Sequence, residues 1–483
     1  MNTKLLKQKI LDLAIRGKLT QQLKSDGNTA DLLKEISSAC HPERSAKGAK
    51  SKDLKQIIPL DKNEAPFEIP ANWEWVRLGN VCKVFGRIGF RGYTKKDLVE
   101  KGEGAISLSP SNMDEMKLNF DKCTYISWFK YEESPEIMIN KGDIIVVKTG
   151  SSYGKTSIVQ DLPEKTTLNP QLMVLKQINC NRNYLCYFLN SAYFRKVFEE
   201  LVNGTAIPTF SQEKFSSKEF PLPPLAEQQR IVEKIQEAFA EIDSIENNKE
   251  LLKTHIKQAR QKILDLAIHG KLVPQNKTDE PASVLLERIT RDNPHYEKIE
   301  DEPFEIPQNW VWCRLGNICD KLIDGDHNPP KGLNCTTEYI MLSSRNINDN
   351  DIVDLENVRY LSKDMFEEEN LRTKLEKGDI LFTSVGSLGR SCVFSGDGKY
   401  CFQRSVSVIH TNIYNKYLKY FFDSNYYQKY IVENATGTAQ LGFYLEQMRK
   451  SFIAIPPLNE QSRIVAKIEE LFSTLDQMER NLV

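Results

Sequence analysis

A glycine-rich stretch gives the first indication of chemistry. Residues Gly150–Thr156 read GSSYGKT, follow a predicted strand, and resemble a loop that cradles phosphates. The first glycine, however, lies one position too close to Gly-Lys-Thr, and no long helix can follow before Pro163. Nucleotide hydrolysis is therefore not predicted for this chain.

Two further signals lie in the stretch DGDHNPPK of the second half. Asn328-Pro329-Pro330 matches the start of the Asn-Pro-Pro-aromatic motif of amino-methyltransferases, but Lys331 replaces the aromatic ring that would stack on a base. Asp324, Asp326 and His327 are possible metal ligands, yet one short loop without a second converging cluster is weak evidence for a metal site. We predict neither methyl transfer nor metal binding by these residues.

The ten cysteines are scattered, with no Cys-x-x-Cys pair and no histidine at zinc-ligand spacing. They are predicted to be reduced, structural thiols.

An internal repeat dominates the sequence. QKILDLAIRGKL at 8–19 returns as QKILDLAIHGKL at 261–272, and PFEIPANWEWVRLGNVC at 66–82 returns as PFEIPQNWVWCRLGNIC at 303–319. PPLAEQQRIVEKI at 223–235 returns as PPLNEQSRIVAKI at 456–468. The stretches between these matches are similar only at short sites such as KGDII and KGDIL. The chain is predicted to be two copies of one scaffold that carry two differently shaped sites.

A long helix is predicted between the copies, because residues 225–269 contain neither Gly nor Pro. Its apolar residues alternate at spacings of four and three, which is typical of a coiled coil. At ~1.5 Å per residue such a helix would be roughly 65 Å long. The predicted seam, with matching positions near both chain ends, is Ile10, Leu13, Ile231, Ile235, Ile242, Ile245, Leu252, Ile256, Ile263, Ile464, Ile468, Leu471 and Leu475.

The two chain ends together match almost the whole central helix. We therefore expect them to lie close together and to form a second, antiparallel rod beside the first, related by a pseudo-twofold axis. The Pro-Pro pairs at 223–224 and 456–457 allow a helix to begin, with Glu227 and Glu460 near its positive end. An ordinary amphipathic core helix is the alternative.

The stretches between the helices read as mixed, strand-rich domains, so the predicted fold class is α+β: two mixed α/β domains joined by long helices in an antiparallel coiled coil. The predicted segments are an N-terminal rod helix (1–20), a helix and flexible linker (21–65), a first globular domain (66–222), the central helix (223–270), a helix and linker (271–302), a second globular domain (303–455) and a C-terminal rod helix (456–483).

Composition is that of a globular protein. The chain has 483 residues, 40% hydrophobic and 27% charged, with a net charge of −1, so bulk charge cannot hold it on nucleic acid and any DNA-binding face must be local. No stretch reaches the length of a membrane span, and the first residues lack the apolar block of a signal peptide. A cytoplasmic protein is expected.

The repeated edges PPLxEQxRIVxKI, KILDLAI-x-GKL and P-x-x-W-x-W-x-R-L-G-N, with two divergent middles, make the whole chain resemble the specificity subunit of a type I restriction–modification system. The resemblance implies two target-recognition domains that each read one half of a bipartite, asymmetric DNA target. It also implies that the helical spacer docks two methyltransferase (M) subunits, with two restriction/translocase (R) subunits in a restricting assembly. S-adenosylmethionine, ATP and Mg²⁺ would then be bound by the partners, with no cofactor and no catalysis in this chain.

Exposed Arg, Lys, Asn, Gln, Ser and Thr side chains on loops are the groups that distinguish base edges and contact phosphates. The candidates in the first domain are Arg87, Arg91, Tyr93, Lys95, Ser111, Asn112, Lys148, Ser151, Ser152, Tyr153 and Lys155. Those in the second are Asp326, His327, Lys331, Ser344, Arg345, Asn346, Ser387, Arg390, Gln403 and Arg404. Trp73, Trp75, Trp310 and Trp312 are shared by both copies and are predicted to pack in cores.

Two other functions stay open at this point. A two-armed coiled-coil scaffold without DNA specificity would fail to bind any duplex even with partners. An enzyme would show methylase or ATPase turnover without them.

Overall fold

The computed structural model describes residues 2–39, 59–60, 65–87, 92–114, 116–202, 207–291, 299, 302–437 and 441–482. Most of the linker predicted within 21–65 lies outside these residues. The chain divides into two compact units, Met1–Asn248 and Lys249–Val483, which are described separately below.

The first unit begins with helices and continues into strands. Its helices are α1 Thr3–Ile15, α2 Thr29–Ala39, α3 Leu78–Val81, α4 Trp128–Glu132, α5 Arg182–Leu189, α6 Ala192–Leu201, α7 Gln212–Ser216 and the first half of α8 Leu225–Ile268. Its strands are β1 Glu74–Arg77, β2 Lys83–Gly86, β3 Leu98–Val99, β4 Gly104–Leu108, β5 Met113–Asp114, β6 Lys117–Leu118, β7 Thr124–Ser127, β8 Ile144–Val147, β9 Thr156–Ile158, β10 Thr166–Leu168, β11 Leu172–Lys176 and β12 Glu219–Leu222.

The strands of the first unit form two four-stranded sheets. One has the order β2-β11-β8-β9 and is antiparallel throughout, whereas the other has the order β10-β4-β7-β3 with a parallel β10-β4 pair. A two-stranded pair, β1-β12, joins the beginning and end of the globular part. Alternate apolar residues of β8 and β11 face two different cores, one against α5 and α6 and one against the second sheet.

The second unit repeats this plan. Its helices are the second half of α8, α9 Ala282–Thr290, α10 Lys363–Thr373, α11 Asn415–Phe422, α12 Asn425–Asn434, α13 Leu445–Lys450 and α14 Leu458–Arg480. Its strands are β13 Val311–Arg314, β14 Cys319–Asp324, β15 Tyr339–Leu342, β16 Arg359–Tyr360, β17 Ile380–Thr383, β18 Ser391–Val393, β19 Lys399–Phe402, β20 Val406–Thr411 and β21 Phe452–Ile455. The sheets β13-β21 and β14-β20-β17-β18 have the same layout as β1-β12 and β2-β11-β8-β9 of the first unit. The sheet β16-β15-β19 has three strands where the second sheet of the first unit has four.

A terminal helix pairs with α8 in each unit, and the contacts give its direction. In the first unit, Lys7 Nζ lies 2.6 Å from Asp243 Oδ1, and Asp26 binds Arg230. Because the partner number on α8 falls as the number near the N-terminus rises, the pairing is antiparallel. In the second unit Arg260 binds Asp476, and Asp279 binds Arg463. These are the repeat-related residues, so the antiparallel pairing predicted from the duplication is confirmed within each unit.

The predicted seam is only partly buried. Ile231, Ile235, Ile242, Ile256, Ile464 and Ile468 are buried, whereas Ile10, Ile263, Leu471 and Leu475 are half-buried. The prediction is wrong at three positions, since Leu13, Ile245 and Leu252 are 42%, 48% and 41% exposed. The buried face of α1 is Leu11, Ala14 and Ile15, because this helix packs against the globular core as well as against α8.

The repeated Glu-Gln pair near the start of α8 and of α14 is buried and makes hydrogen bonds to the rest of its unit. Glu227 accepts hydrogen bonds from Gln22 Nε2 at 2.6 Å and Trp73 Nε1 at 2.8 Å. Gln228 accepts from Asn181 N and donates to Pro223 O. In the second unit Glu460 accepts from Gln275 Nε2 at 2.6 Å, and burial raises the pKa of its carboxyl.

The four repeated tryptophans are buried, as predicted. The nine cysteines among the described residues are free. Burial raises the pKa of the thiols of Cys82 and Cys186 to about 12, which keeps them protonated and unreactive.

Candidate nucleic-acid interface

The same set of asparagine hydrogen bonds, called the polar frame below, occurs just after β4 in the first unit and just after β15 in the second. Asn112 Oδ1 accepts from Ser109 N at 3.0 Å, and its Nδ2 donates to Asn119 O and Lys122 O, both at 3.0 Å. Asn346 Oδ1 accepts from Ser343 N at 3.0 Å, and its Nδ2 donates to Val353 O and Asp354 O. Each amide holds its own loop in shape.

These contacts correct two predicted DNA contacts. Asn112 and Asn346 are both 3% exposed, and their amide groups are used inside the protein. Neither can offer its amide to a base edge without giving up the loop. The signal that could have shown this is their identity in the two copies, SPSN and SSRN.

The residue before each asparagine faces outward and differs between the copies. Ser111 and Arg345 are both exposed. Next to them, the strand parallel to β4 or β15 is followed directly by Asn169 or Gln403, whose backbone N–H donates to Leu108 O at 2.8 Å or Leu342 O at 2.9 Å. Each unit thus has two variable positions next to this frame, and in the second unit both side chains line one groove.

A groove of about 500 Å³ opens beside these positions in the second unit. It brings together the predicted residues Arg345 and Gln403 with Ser343, Asn357 and Arg359. Asn357 and Arg359 are not predicted from the sequence, because nothing in the stretch ENVRY distinguishes them from ordinary strand residues. Of the other predicted residues here, Lys331 and Arg404 are exposed and Ser344 is half-buried.

The glycine-rich stretch of the first unit is a turn between two antiparallel strands. Gly150 and Gly154 have φ values of +103° and +80°, and β9 follows directly at Thr156. A phosphate-binding loop would lead into a helix, so this geometry does not support one. Ser151 and Lys155 are exposed, and Ser152 and Tyr153 are half-buried.

The turn forms one wall of a cleft of about 530 Å³ within the first unit. Four predicted residues line this cleft, Ser151, Ser152, Tyr153 and Lys155, together with three cationic residues that were not predicted. These are Lys4 and Lys7 on α1 and Arg195 on α6. The lysines escaped notice because they belong to the repeated helix rather than to a divergent loop.

The equivalent turn of the second unit carries Ser387 and Arg390. Arg390 N donates to Thr383 Oγ1 at 2.9 Å, so the backbone is fixed while the guanidinium is exposed. Ser387 is half-buried.

Arg87, at the start of the first predicted DNA-binding loop, is buried. It is 4% exposed, its Nε donates to Leu168 O at 3.0 Å, and its guanidinium lies 5.5 Å from the centre of the Tyr93 ring. Burial lowers the pKa of this group. Its prediction as a DNA contact is corrected, because the side chain is occupied within the protein.

The remaining candidates in the first unit differ in exposure. Tyr93 is half-buried with its hydroxyl accepting from Ser107 Oγ at 2.9 Å, and Lys95 is exposed. Lys148 is half-buried, and burial lowers its pKa. Arg91 lies outside the described residues.

The possible metal ligands of the second unit are paired with each other. His327 Nε2 lies 2.8 Å from Asp324 Oδ2, and Arg372 Nη2 donates to Asp324 Oδ1 at 2.6 Å. Asp326 is half-buried, and its carbonyl accepts from Arg404 N at 2.8 Å. Among the residues that the structure describes, no three His, Cys, Asp or Glu side chains gather into a metal site.

The fold and the paired loops define a class of protein with two similar domains that present different side chains from one frame. A family model, described as the type I restriction modification DNA specificity domain, matches residues 70–254 and 307–482. The chain belongs to this family, which has a DNA-recognition role.

Named relatives agree with this assignment. The specificity subunit of the type I restriction enzyme EcoAI from Escherichia coli is 25% identical over 98% of this chain and 90% of its own length. The EcoBI specificity subunit, also from E. coli, is 30% identical over 54% of this chain and 53% of its own length.

Solved structures share the fold. The HsdS subunit of Thermoanaerobacter tengcongensis has a TM-score of 0.50 and 18% identity, covering 87% of this chain and 94% of its own. A chain from a study of assembly and conformational transition in a type I R-M system has a TM-score of 0.55 and 19% identity, covering 86% and 94%. None of the described helices combines the length and the hydropathy of a membrane-spanning segment.

Proposed function

We propose that this chain reads a bipartite, asymmetric target in double-stranded DNA, one half-site through each globular domain. The observation that carries the proposal is the repeated polar frame at Asn112 and Asn346. It gives the two loops the same hydrogen-bonded support, while the side chains that face outward from them differ. Such an arrangement suits a protein that presents two different sequence readers to one duplex. The family favours this function over a scaffold without DNA specificity.

The spacer formed by α1, α8 and α14 is the proposed docking site for two M subunits, joined by two R subunits in a restricting complex. Methylation with S-adenosylmethionine, and cleavage with ATP and Mg²⁺, would be carried out by these partners in the cytoplasm. This chain supplies recognition alone.

The test is a domain exchange in the assembled complex. Residues 83–222 are replaced by the corresponding stretch of a relative, and the methylated sites are determined by single-molecule sequencing of host DNA. One half-site should change while the other and the gap persist. A change in both half-sites would contradict reading by separate domains.

Salt dependence provides a second measurement. Binding of the purified chain with its M partner to its duplex should weaken as salt rises, since each neutralised phosphate contributes a slope of about −0.9 in log K against log salt. Failure of the complex to bind any duplex, at any salt, would support the scaffold alternative.

A further inference from the structure

The groove of the second unit is lined mainly by polar residues. Arg345, Asn357, Arg359 and Gln403 line it together with Met341, which is 1% exposed. Two of these residues come from neighbouring strands, because Met341 on β15 pairs with Arg359 on β16. Base edges require such convergent donors and acceptors on a rigid support.

Arg359 is held in place before any ligand arrives. Its Nη1 donates to Pro330 O at 2.7 Å. Its side chain also passes close over Gly332, where an added Cβ would lie 2.5 Å from Arg359 Cγ. Arg359 is therefore a positioning residue that fixes one wall of the groove and the loop beside it.

The side-chain donors and acceptors of Arg345 and Gln403, in contrast, are available to a ligand. Within the described part of the chain their side chains make no hydrogen bond or ion pair. Yet their backbones are fixed, since Arg345 precedes the anchored Asn346 and Gln403 N donates to Leu342 O at 2.9 Å. A fixed backbone with an uncommitted side chain is what direct reading of a base needs.

The first unit shows which positions the frame leaves free. The counterpart of Arg345 is Ser111, and the counterpart of Gln403 is Asn169, which is 8% exposed. Asn169 uses its amide locally, accepting from Gln171 N at 2.9 Å and donating to Gln171 Oε1 at 3.2 Å. The two copies therefore share the supporting backbone contacts, while the side chains at these two positions differ.

We propose that this groove reads purine edges in the major groove of one half-site, with Arg345 contacting a guanine and Gln403 an adenine. Arginine donates two hydrogen bonds to guanine O6 and N7, and glutamine pairs with adenine N6 and N7. This inference rests on the proposed function and names the residues and base types for one reader.

The experiment uses the whole complex with its M partner. The domain exchange at 83–222 first identifies the half-site read by the second unit as the one that does not change. Binding to duplexes carrying each single base-pair change in that half-site is then measured for the native chain, Arg345→Ser and Gln403→Glu.

Arg345→Ser introduces the residue of the first copy. It should lower discrimination at one G·C pair by roughly 10- to 100-fold and leave other positions unchanged. Gln403→Glu keeps the side-chain shape but replaces the amide donor by an acceptor. It should shift preference at one position from A·T toward a pair that offers the cytosine amino group.

Two controls accompany these variants. The half-site read by the first unit serves as an internal control, because its reading should be unaffected if the complex folds and assembles. Lys429→Ser removes an exposed charge on α12 that pairs with Glu433, away from the groove, and should alter no base preference.

The alternative outcomes are distinct. If both variants keep the native preferences, or if Arg345→Ser weakens all sequences equally with a smaller salt slope, the groove does not read bases, although the proposed function stands. If the native complex itself shows no sequence preference, the proposed function fails. Loss of discrimination confined to one pair supports the groove.

Discussion

At the residue scale, the side-chain amide of a single asparagine can hold a loop in one conformation. Asn346 satisfies three backbone groups at once, and Asn112 does the same in the other copy. Buried polar groups that lose their partners are costly, so these contacts make the loops rigid. The adjacent residue is left to point outward.

Asn346→Asp tests this role with almost no change in shape. The substitution removes the donors to Val353 O and Asp354 O and places a carboxylate against two carbonyls. We expect it to destabilise the second unit by about 3 kcal/mol. Hydrogen exchange of the amides in β15 and β19 would measure this loss.

Arg345→Ser is the matched control, because its side chain is exposed. It should change the free energy of unfolding by less than about 0.5 kcal/mol. Equal exchange rates in the two variants would show that the Asn346 amide does not hold the loop.

At the element scale, each rod helix that carries the repeated GKL motif is followed, two residues after its last helical residue, by a glycine with a positive φ angle. Gly17 has a φ of +65°, and an added Cβ would lie 2.3 Å from Pro70 Cγ. Gly270 repeats this with a φ of +66° and a distance of 2.4 Å to Pro307 Cγ. The close approach of proline to glycine sets where the chain leaves the helix.

Gly17→Ala should therefore be more harmful than a glycine substitution in open space. Gly102 has a φ of +94° and no atom within 4 Å of an added Cβ. Gly102→Ala should cost only the conformational penalty of about 1 kcal/mol, and Gly17→Ala about 2 kcal/mol more through the clash. Thermal unfolding of the two variants checks this, and equal midpoints would contradict it.

Self-comparison of the sequence predicts the elements well where local pattern decides them. The long helix, its antiparallel partners and the duplicated α+β plan follow from near-identical repeats and from apolar residues that alternate at spacings of four and three. The exposure of Leu13 could not be predicted in this way. The spacing of apolar residues does not show that α1 also packs against a globular core. Arg87 was misread for a related reason, since its burial depends on β10, far along the chain.

The groove at Arg359 was equally beyond prediction. It depends on the pairing of β15 with β16 and on the passage of the Arg359 side chain over Gly332. Non-local strand pairing has no local signature in a single sequence. The candidate set from exposed-loop chemistry thus contains the right kinds of residue but cannot separate readers from anchors.

At the scale of the whole molecule, the first and last helices are structural parts of different units. Leu11, Ala14 and Ile15 belong to the core of the first unit, and Ile464, Val465 and Ile468 to that of the second. Each terminal helix is therefore part of the core of its own unit.

Removal of residues 1–15 should loosen the first unit selectively, because it exposes the apolar surface that α1 covers on α5, α6 and α8. Hydrogen exchange should increase in α5, α6 and the first half of α8, and remain unchanged in β14, β17 and β20. Uniform loosening of both units would contradict the assignment of α1 to the first unit.

The anchored asparagines also bear on how such a protein changes over generations. Since Asn112 and Asn346 keep the loop shape by themselves, a substitution at Ser111 or Arg345 leaves the folded state almost as stable as before. New preferences can then be sampled by point mutation without first acquiring a compensating stabiliser. A lineage with this architecture can diversify its targets while its foldability stays intact.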